Sequence, residues 1–204
     1  GVTIDENLTF NPHVSLVCKK SAKQVNAMLR LSKSLTSVSK MKVLNAFIRS
    51  NFNYCSILYH FSGRTNSKKM ESLYERAIRI TFNDYTTPYN TILKLNGMQM
   101  LYEQREELFI VQVYKILNGL APPLSPSFFT KQNFKYNLRD NNVLSVPKFD
   151  TVKYGFNAFN VQGAILWNKL PGNVKEADGL LQFKALLRSS FNECTCGTCF
   201  KCMF

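Results

Sequence analysis

Carboxylates and histidines are scarce in this sequence, which has 13 Asp and Glu against 26 Lys and Arg, and only two His. General acid–base and two-metal chemistry need clustered carboxylates. The only adjacent acidic pairs are Asp5-Glu6 and Glu106-Glu107. We therefore predict that the chain has no catalytic site and takes no small-molecule substrate.

Nucleophile–base pairs and phosphate-binding loops are also lacking. Cys55 and His60 are five residues apart, a spacing that does not place them on one face of a helix. We expect Cys55 to pack in the core and His60 to lie at the surface or at a helix end. The nine glycines are isolated, so no glycine-rich loop is available to bind phosphate.

Long apolar runs are missing as well. No segment approaches the roughly 18 apolar residues of a membrane span, and the N-terminus does not resemble a signal peptide. The six cysteines do not form a distributed disulfide framework, because four of them crowd the last eleven residues. These features predict an intracellular protein with reduced thiols and no membrane partner.

What the sequence does contain is apolar residues and positive charge. Hydrophobic residues make up 45%, including 16 Phe and 9 Tyr, which is enough to fill a core. The net charge is +13, and such an excess favours a polyanionic partner. Residues 1–80 carry 13 cations and 4 anions, net +9, whereas residues 81–204 carry 13 and 9, net +4. The polyanion is expected to meet the first part.

The first 82 residues predict a short hairpin followed by three helices. Asn11-Pro12 favours a helix start. The first helix has one apolar stripe and a cationic opposite side. The stripe consists of Val14, Val17, Cys18, Ser21, Val25, Met28 and Leu29. A second helix near Ser37 is expected to bury Met41, Leu44, Phe47 and Ile48 and to leave Lys40, Lys42 and Arg49 nearer water. A third helix should follow Gly63.

The rest of the chain predicts further helices and a change of character. Helices are expected from Pro88 to Asn96 and from Met100 to Leu117, and a Pro-rich linker follows. Beyond residue 134, short apolar stretches between Asn, Asp and Pro indicate strands or extended loops, with helices at 156–170 and after Asp178. The expected fold is mainly α, with a short N-terminal β-hairpin and a small mixed α+β C-terminal part.

Five segments follow from this pattern. They are a β-hairpin (1–11), a basic helical bundle (12–82), a helical connection with the Pro-rich linker (83–133), the small mixed part (134–193) and a Cys-rich tail (194–204).

The densest positive charge lies between Lys19 and Arg79, where 13 Lys and Arg meet only Glu71 and Glu75, net +11. Non-specific binding to phosphates needs this kind of distributed charge. The candidate nucleic-acid-binding residues are Lys19, Lys20, Lys23, Arg30, Lys33, Lys40, Lys42, Arg49, Lys68, Lys69, Arg76 and Arg79. The alternative for any single lysine is a solvated helix face.

Four cysteines near the C-terminus form the sharpest local motif. Cys194, Cys196, Cys199 and Cys202 have the spacing C-x-C-x2-C-x2-C. Four thiolates suit tetrahedral zinc, and Gly197 would help the loop bend round the ion. We therefore treat zinc as a candidate cofactor, with a tail of free thiols as the alternative.

Three blocks of sequence carry a resemblance to a known family. Gly1-Val-Thr-Ile-Asp5, with Leu8 and His13, resembles the end of the palm in non-LTR (LINE-type, jockey-like) retrotransposon reverse transcriptases. Tyr54 with Leu58-Tyr59, and then Leu73, Glu75-Arg76-Ala77 and Arg79, resemble the helical region after the polymerase core. Gly163, Leu166-Trp167-Asn168 and Leu170-Pro171, followed by Phe183-Lys184 and Leu187, resemble the closing segment, where a Cys-rich tail is also familiar.

The resemblance implies a thumb-like bundle that grips RNA and RNA/DNA duplex next to an upstream palm of the same polyprotein. It also implies nuclear and cytoplasmic locations. The family's Tyr-x-Asp-Asp signature does not occur in this sequence, so its polymerase activity is not carried by these residues. Two alternatives are a zinc-dependent module that binds nucleic acid or protein, and a translated relic without activity.

Overall fold

The structure, a computed structural model, describes residues 1–122, 128–132 and 142–193, and for residues 191–193 only the backbone. These residues contain ten α-helices and two π-helical segments, which confirms the expected mainly α fold. The α-helices are α1 (Asn11–Leu31), α2 (Ser37–Val43), α3 (Ser50–Asn53), α4 (Ser56–Tyr59), α5 (Arg64–Phe82), α6 (Tyr89–Leu95), α7 (Leu101–Leu117), α8 (Phe159–Asn168), α9 (Gly172–Lys175) and α10 (Leu180–Glu193). The π-helical segments are Leu44–Arg49 and Val152–Phe156. None of the described helices is long and apolar enough to cross a membrane.

The chain folds as two compact units, unit 1 (Gly1–Glu106) and unit 2 (Glu107–Phe204). The boundary falls inside α7, so the first residues of this helix belong to unit 1 and the remainder belongs to unit 2. The apolar core of unit 1 is contributed by α1 to α6, the π-helical segment Leu44–Arg49 and the start of α7.

The N-terminal residues form a turn, and the predicted β-hairpin is wrong. The Asp5 carboxylate accepts hydrogen bonds from the backbone N–H groups of Thr9 (3.0 Å) and Phe10 (2.6 Å). Leu8 and Phe10 have φ of 48° and 56°, values that an extended strand does not contain. Desolvation raises the pKa of Asp5, but these hydrogen bonds outweigh it and the net shift is downward. Local bonds from side chain to backbone thus replace cross-strand pairing.

In unit 1, α1 packs against α5. The Asn66 amide near the start of α5 donates to Asn11 Oδ1 at the start of α1 (2.6 Å). The buried face of α1 confirms most of the predicted stripe, namely Val14, Val17, Ser21, Val25 and Met28. Cys18 is half-buried, whereas Leu29 is exposed. Both long helices therefore bury one side and leave the other to solvent.

The segment from α2 to α3 buries one residue in every four. The buried positions are Lys40, Leu44, Ile48 and Phe52. An α-helix repeats every 3.6 residues, but the wider turns of the π-helical segment Leu44–Arg49 keep positions four apart aligned. The helix starts at Ser37 as predicted, and the Thr36 hydroxyl accepts a hydrogen bond from the Ser39 N–H (3.2 Å).

This register corrects two expectations about exposure. Lys40 is only 7% exposed, although it was predicted to lie near water. Phe47 is 56% exposed, although it was predicted to be buried. Lys40 precedes the buried Leu44 by four residues, which places it on the core side of an ordinary α-helix. Phe47 is turned away from the core by the four-residue repeat of the π-helical segment. Leu44 and Ile48 are buried as expected.

Unit 2 is held together by aromatic packing. Tyr114 of α7 stacks on Phe183 of α10 with ring centroids 4.1 Å apart, and Trp167 of α8 lies 6.1 Å from the same ring. The Tyr114 hydroxyl donates to the Ala177 carbonyl (3.0 Å). Helices α8 and α10 match the two that the sequence predicted for this part.

Strands or extended loops were predicted for the C-terminal part. The described residues contain one antiparallel bridge, between Lys131 and Leu144. The Asn168 side chain accepts from the Leu144 N–H (2.8 Å) and donates to the Leu144 carbonyl (2.9 Å). The Trp167 indole N–H donates to the Asn142 carbonyl (2.8 Å). Side chains at the end of α8 thus hydrogen-bond to this extended backbone.

Candidate nucleic-acid interface

Helix α1 presents a row of cations on one exposed face. Lys19, Lys23 and Arg30 follow each other at intervals of four and seven residues, which place them on one side of a helix. The buried stripe of α1 lies on the opposite side. At 1.5 Å per residue, the row extends over about 16 Å. Lys20 and Lys33 are exposed as well.

Helices α2 and α5 add four of the predicted binding residues as exposed cations, Lys42, Lys68, Lys69 and Arg76. Burial raises the pKa of the Cys18 thiol in α1, and the Lys69 ammonium opposes that rise. The charge of Lys69 therefore acts close to α1. Together with the five exposed cations at positions 19 to 33, these four bring the exposed predicted phosphate-binding residues to nine of twelve.

The other three predicted binding residues are at least partly enclosed. Arg79 donates to the Glu75 carboxylate (2.7 Å and 3.0 Å) and to the Thr87 carbonyl (3.0 Å), so it holds the segment that connects α5 to α6. Lys40 is buried, and Arg49 is half-buried. Lys40 and Arg79 are thus held within the fold, and the nine exposed residues are the most accessible to phosphates.

The exposed cations of α1 and α2 have no acidic neighbours along the chain. Residues 7–70 contain no Asp or Glu. Glu71, the next acid, accepts from the Tyr89 hydroxyl (2.7 Å) and the Leu101 N–H (3.0 Å), and Glu75 pairs with Arg79. Within the described part of the chain, no ion pair engages a cation of α1 or α2. A surface of this kind attracts polyanions through charge alone.

Some exposed residues of this region were not among the predicted ligands. Arg64 is exposed at the first position of α5, and its place in the cationic stretch directly after Gly63 was the available signal. Phe47 and Tyr54 are each 56% exposed. Periodicity assigned Phe47 to the core, so the sequence offered no signal for it.

The two histidines are both buried, and the expectations for Cys55 and His60 are reversed. Cys55 is exposed, with φ of 48°, whereas His60 is 3% exposed and lies against the rings of Phe61 and Tyr102 (4.5 Å and 4.6 Å). Burial lowers the pKa of His60 to about 3. A neutral imidazole of this kind adds nothing to the basic surface.

His13 is 4% exposed and belongs to the core of unit 1. Its Nδ1 accepts from the Thr3 N–H (3.3 Å), and its ring packs edge-on against Tyr59 at 5.1 Å. Burial lowers the pKa of His13 as well. The ring connects the N-terminal turn to α4.

The candidate zinc ligands Cys194, Cys196, Cys199 and Cys202 lie outside the described residues. Within residues 1–122, 128–132 and 142–193, no group of three or more His, Cys, Asp or Glu side chains is placed to hold a metal ion.

Comparison with known proteins gives no match: no protein-family model, no curated protein and no solved structure matches this chain.

Proposed function

We propose that this chain is a non-catalytic, nucleic-acid-binding region of the RNA-directed DNA polymerase of a non-LTR retrotransposon. The observation that carries the binding function is the exposed row Lys19, Lys23 and Arg30 on α1, in a stretch without a single carboxylate. Unit 1 supplies a rigid support, because Val14, Val25 and their neighbours on the opposite side of α1 are buried. The ligand in this proposal is RNA and the RNA/DNA duplex.

The sequence resemblance supplies the parent function. In that function an upstream palm of the same polyprotein carries out two-metal phosphoryl transfer, and the helical bundle of residues 12–82 acts as the thumb that holds the template and the growing cDNA. Distributed lysines and arginines suit this task, because a polymerase must hold phosphates without regard to sequence while the duplex moves.

Titration with a labelled RNA–DNA hybrid at several salt concentrations tests the binding function. The dissociation constant is expected to rise steeply with salt, since each phosphate contact releases condensed counterions. A primer-extension assay with the same hybrid tests the absence of catalysis, and we expect no nucleotide incorporation. Salt-independent binding would contradict the proposal, and no binding at low salt would contradict it and favour the inactive relic.

A zinc-dependent interaction module is the second candidate function, and one specific observation favours it. Cys194, Cys196, Cys199 and Cys202 supply four thiols in nine residues, as many ligands as a structural zinc ion takes. Metal analysis of the purified, reduced protein separates this candidate from the first, because the basic surface of α1 needs no metal.

A further inference from the structure

Two exposed aromatic rings lie on the segment that runs from α2 to α4. Phe47 and Tyr54 are each 56% exposed, and both belong to the stretch without carboxylates. Phe47 lies in the π-helical segment four residues before Asn51, and Tyr54 directly follows the end of α3. The Asn51 amide donates to the Phe47 carbonyl (2.7 Å).

The same asparagine connects the segment that carries Phe47 and Tyr54 to α1. The Asn51 amide also donates to Gln24 Oε1, and further along the chain Tyr59 packs on His13. As residue numbers rise from 51 to 59 in this segment, those of the partners in α1 fall from 24 to 13. The two elements are therefore antiparallel.

In the chain, Tyr54 lies between Asn51 and Tyr59, two residues that contact α1. Lys20 precedes Gln24 by one helical turn, so it lies on the side of α1 that faces the segment. Phe47, Tyr54 and Lys20 are thus exposed on two elements that the Asn51–Gln24 hydrogen bond joins.

We propose that Phe47 and Tyr54 form a stacking platform for unpaired bases beside the phosphate-binding row of α1. The ligand is single-stranded nucleic acid, such as the template strand next to a duplex, with its backbone on Lys20 and Lys23 and its bases on the two rings. The inference rests on the proposed function and adds a preference to it. Duplexes present phosphates but keep their base faces stacked, so the rings give unpaired strands an additional contact.

Charge decides between this occupant and others. A protein partner or a second copy of the chain would cover exposed rings equally well, but it would have to be acidic to accept Lys20, Lys23 and Lys42 beside them. Bases stack on aromatic rings with little regard to sequence, and their phosphates satisfy the cations at the same time. Arranging phosphate and ring contacts on one side is the usual way in which proteins hold single strands.

The test compares binding of an unstructured single-stranded RNA with binding of a blunt RNA–DNA hybrid of equal length. Phe47→Ala and Tyr54→Ala are each expected to weaken single-strand binding about 5- to 100-fold and to leave hybrid binding unchanged. Tyr54→Phe should retain the affinity, because it keeps the ring. Val38→Ala and Leu95→Ala, which remove apolar side chains that are 68% and 77% exposed, are the matched controls and should change neither affinity.

The outcomes separate the two proposals. In one outcome, replacing Lys19, Lys23 and Arg30 with Glu weakens the binding of both ligands, while Phe47→Ala and Tyr54→Ala change the binding of neither. That result would overturn the platform and leave the basic surface in place. If the charge variant also changes nothing, the proposed function fails with it. A concentration-dependent dimer in sedimentation that Phe47→Ala abolishes would overturn the platform too, because it would assign the rings to a second copy.

Discussion

Glu71, in the middle of α5, accepts a hydrogen bond from the backbone N–H of Leu101 at the start of α7 (3.0 Å). The same carboxylate accepts from the Tyr102 N–H (3.2 Å) and the Tyr89 hydroxyl (2.7 Å). A helix start leaves N–H groups without partners and favours negative charge. One acid of the basic bundle therefore caps a helix that lies 30 positions later in the chain.

We predict that Glu71→Ala lowers the free energy of unfolding of unit 1 by about 1–3 kcal/mol, because two backbone N–H groups lose a charged acceptor. Glu71→Gln keeps an acceptor oxygen and should lose less. Hydrogen exchange of backbone amides in α5 and α7 measures the effect. The control is Glu6→Ala, which removes an exposed acid. Equal stability of Glu71→Ala and Glu6→Ala would show that the cap contributes nothing.

Arg105 provides the second prediction, because its side chain is fully buried. Its guanidinium donates to Ser67 Oγ (3.3 Å), Met70 Sδ (3.3 Å) and the Leu101 carbonyl (3.4 Å), and no carboxylate of the described residues is among these acceptors. Burial lowers the pKa of Arg105. The charge of Glu71 opposes this shift, but desolvation outweighs it, so burying the cation carries a net cost.

Arg105→Met should therefore leave the free energy of unfolding unchanged or raise it. Arg105→Ala should fall about 2–5 kcal/mol below the Met variant, because it leaves a cavity where Met fills the space. Denaturant titration of the three proteins checks the order. A Met variant that is less stable than the unmodified protein would mean that the charge itself stabilises unit 1.

The buried imidazole of His60 makes unit 1 sensitive to acid. Burial holds the pKa of His60 at about 3, whereas an unfolded histidine titrates near 6.5. Between these values the unfolded chain binds a proton that the folded chain does not. The contribution of neutral His60 to the free energy of unfolding is therefore fully present above about pH 6.5. It is lost as the pH is lowered towards 3, by up to about 1.4 kcal/mol per pH unit.

His60→Phe should reduce this dependence by one proton, since the ring that replaces the imidazole does not titrate. The measurement is the free energy of unfolding from neutral to acidic pH in both proteins, followed by hydrogen exchange in α1 and α5. Parallel curves for the two proteins would rule out His60 as the titrating group.

The sequence predicted the helices well and exposure near the π-helical segment poorly. The start of α2 at Ser37 and the end of α7 at Leu117 follow from capping residues and apolar spacing, which act locally. Lys40 was expected near water because of its charge, although its spacing from Leu44 places it on the core side. Phe47 was placed on the wrong side, because a period of 3.6 residues does not hold where π-helical turns intervene. No local signal in the chain marks where such turns occur.

The candidate interface was predictable in its charge and not in its detail. Lys19, Lys23 and Arg30 share an exposed face because they lie opposite the apolar stripe, which the sequence shows directly. The engagement of Arg79 by Glu75 and by the Thr87 carbonyl depends on how the chain turns after α5. That turn is a tertiary feature, so the helical pattern alone counted Arg79 among the ligands.

The Cys-rich tail gives a prediction that is independent of the basic surface. Reduced protein should carry one equivalent of zinc, and Cys199→Ser with Cys202→Ser should lose it, because four thiolates complete the tetrahedron. Cys18→Ser with Cys55→Ser, which changes the two cysteines of the helical region, should retain the metal. A chelator should release zinc and leave the main thermal transition in place, since nine residues are too few to build a core.

Mass spectrometry under native conditions and zinc titration measure the stoichiometry. Protein that holds much less than one equivalent and takes up none on titration would leave the tail as a set of free thiols.

The most direct test of the central claim is the salt dependence of RNA–DNA hybrid binding by three proteins. They are the unmodified chain, a variant with Lys19, Lys23 and Arg30 changed to Glu, and a control with the exposed Lys131, Lys148 and Lys153 of unit 2 changed to Glu. Both variants change the net charge equally. The first should bind far more weakly, and the magnitude of its slope of log affinity against log salt should fall by about 2–3. The control should keep most of the affinity and the slope. Equal affinities and slopes for the α1 variant and the unmodified chain would contradict the account.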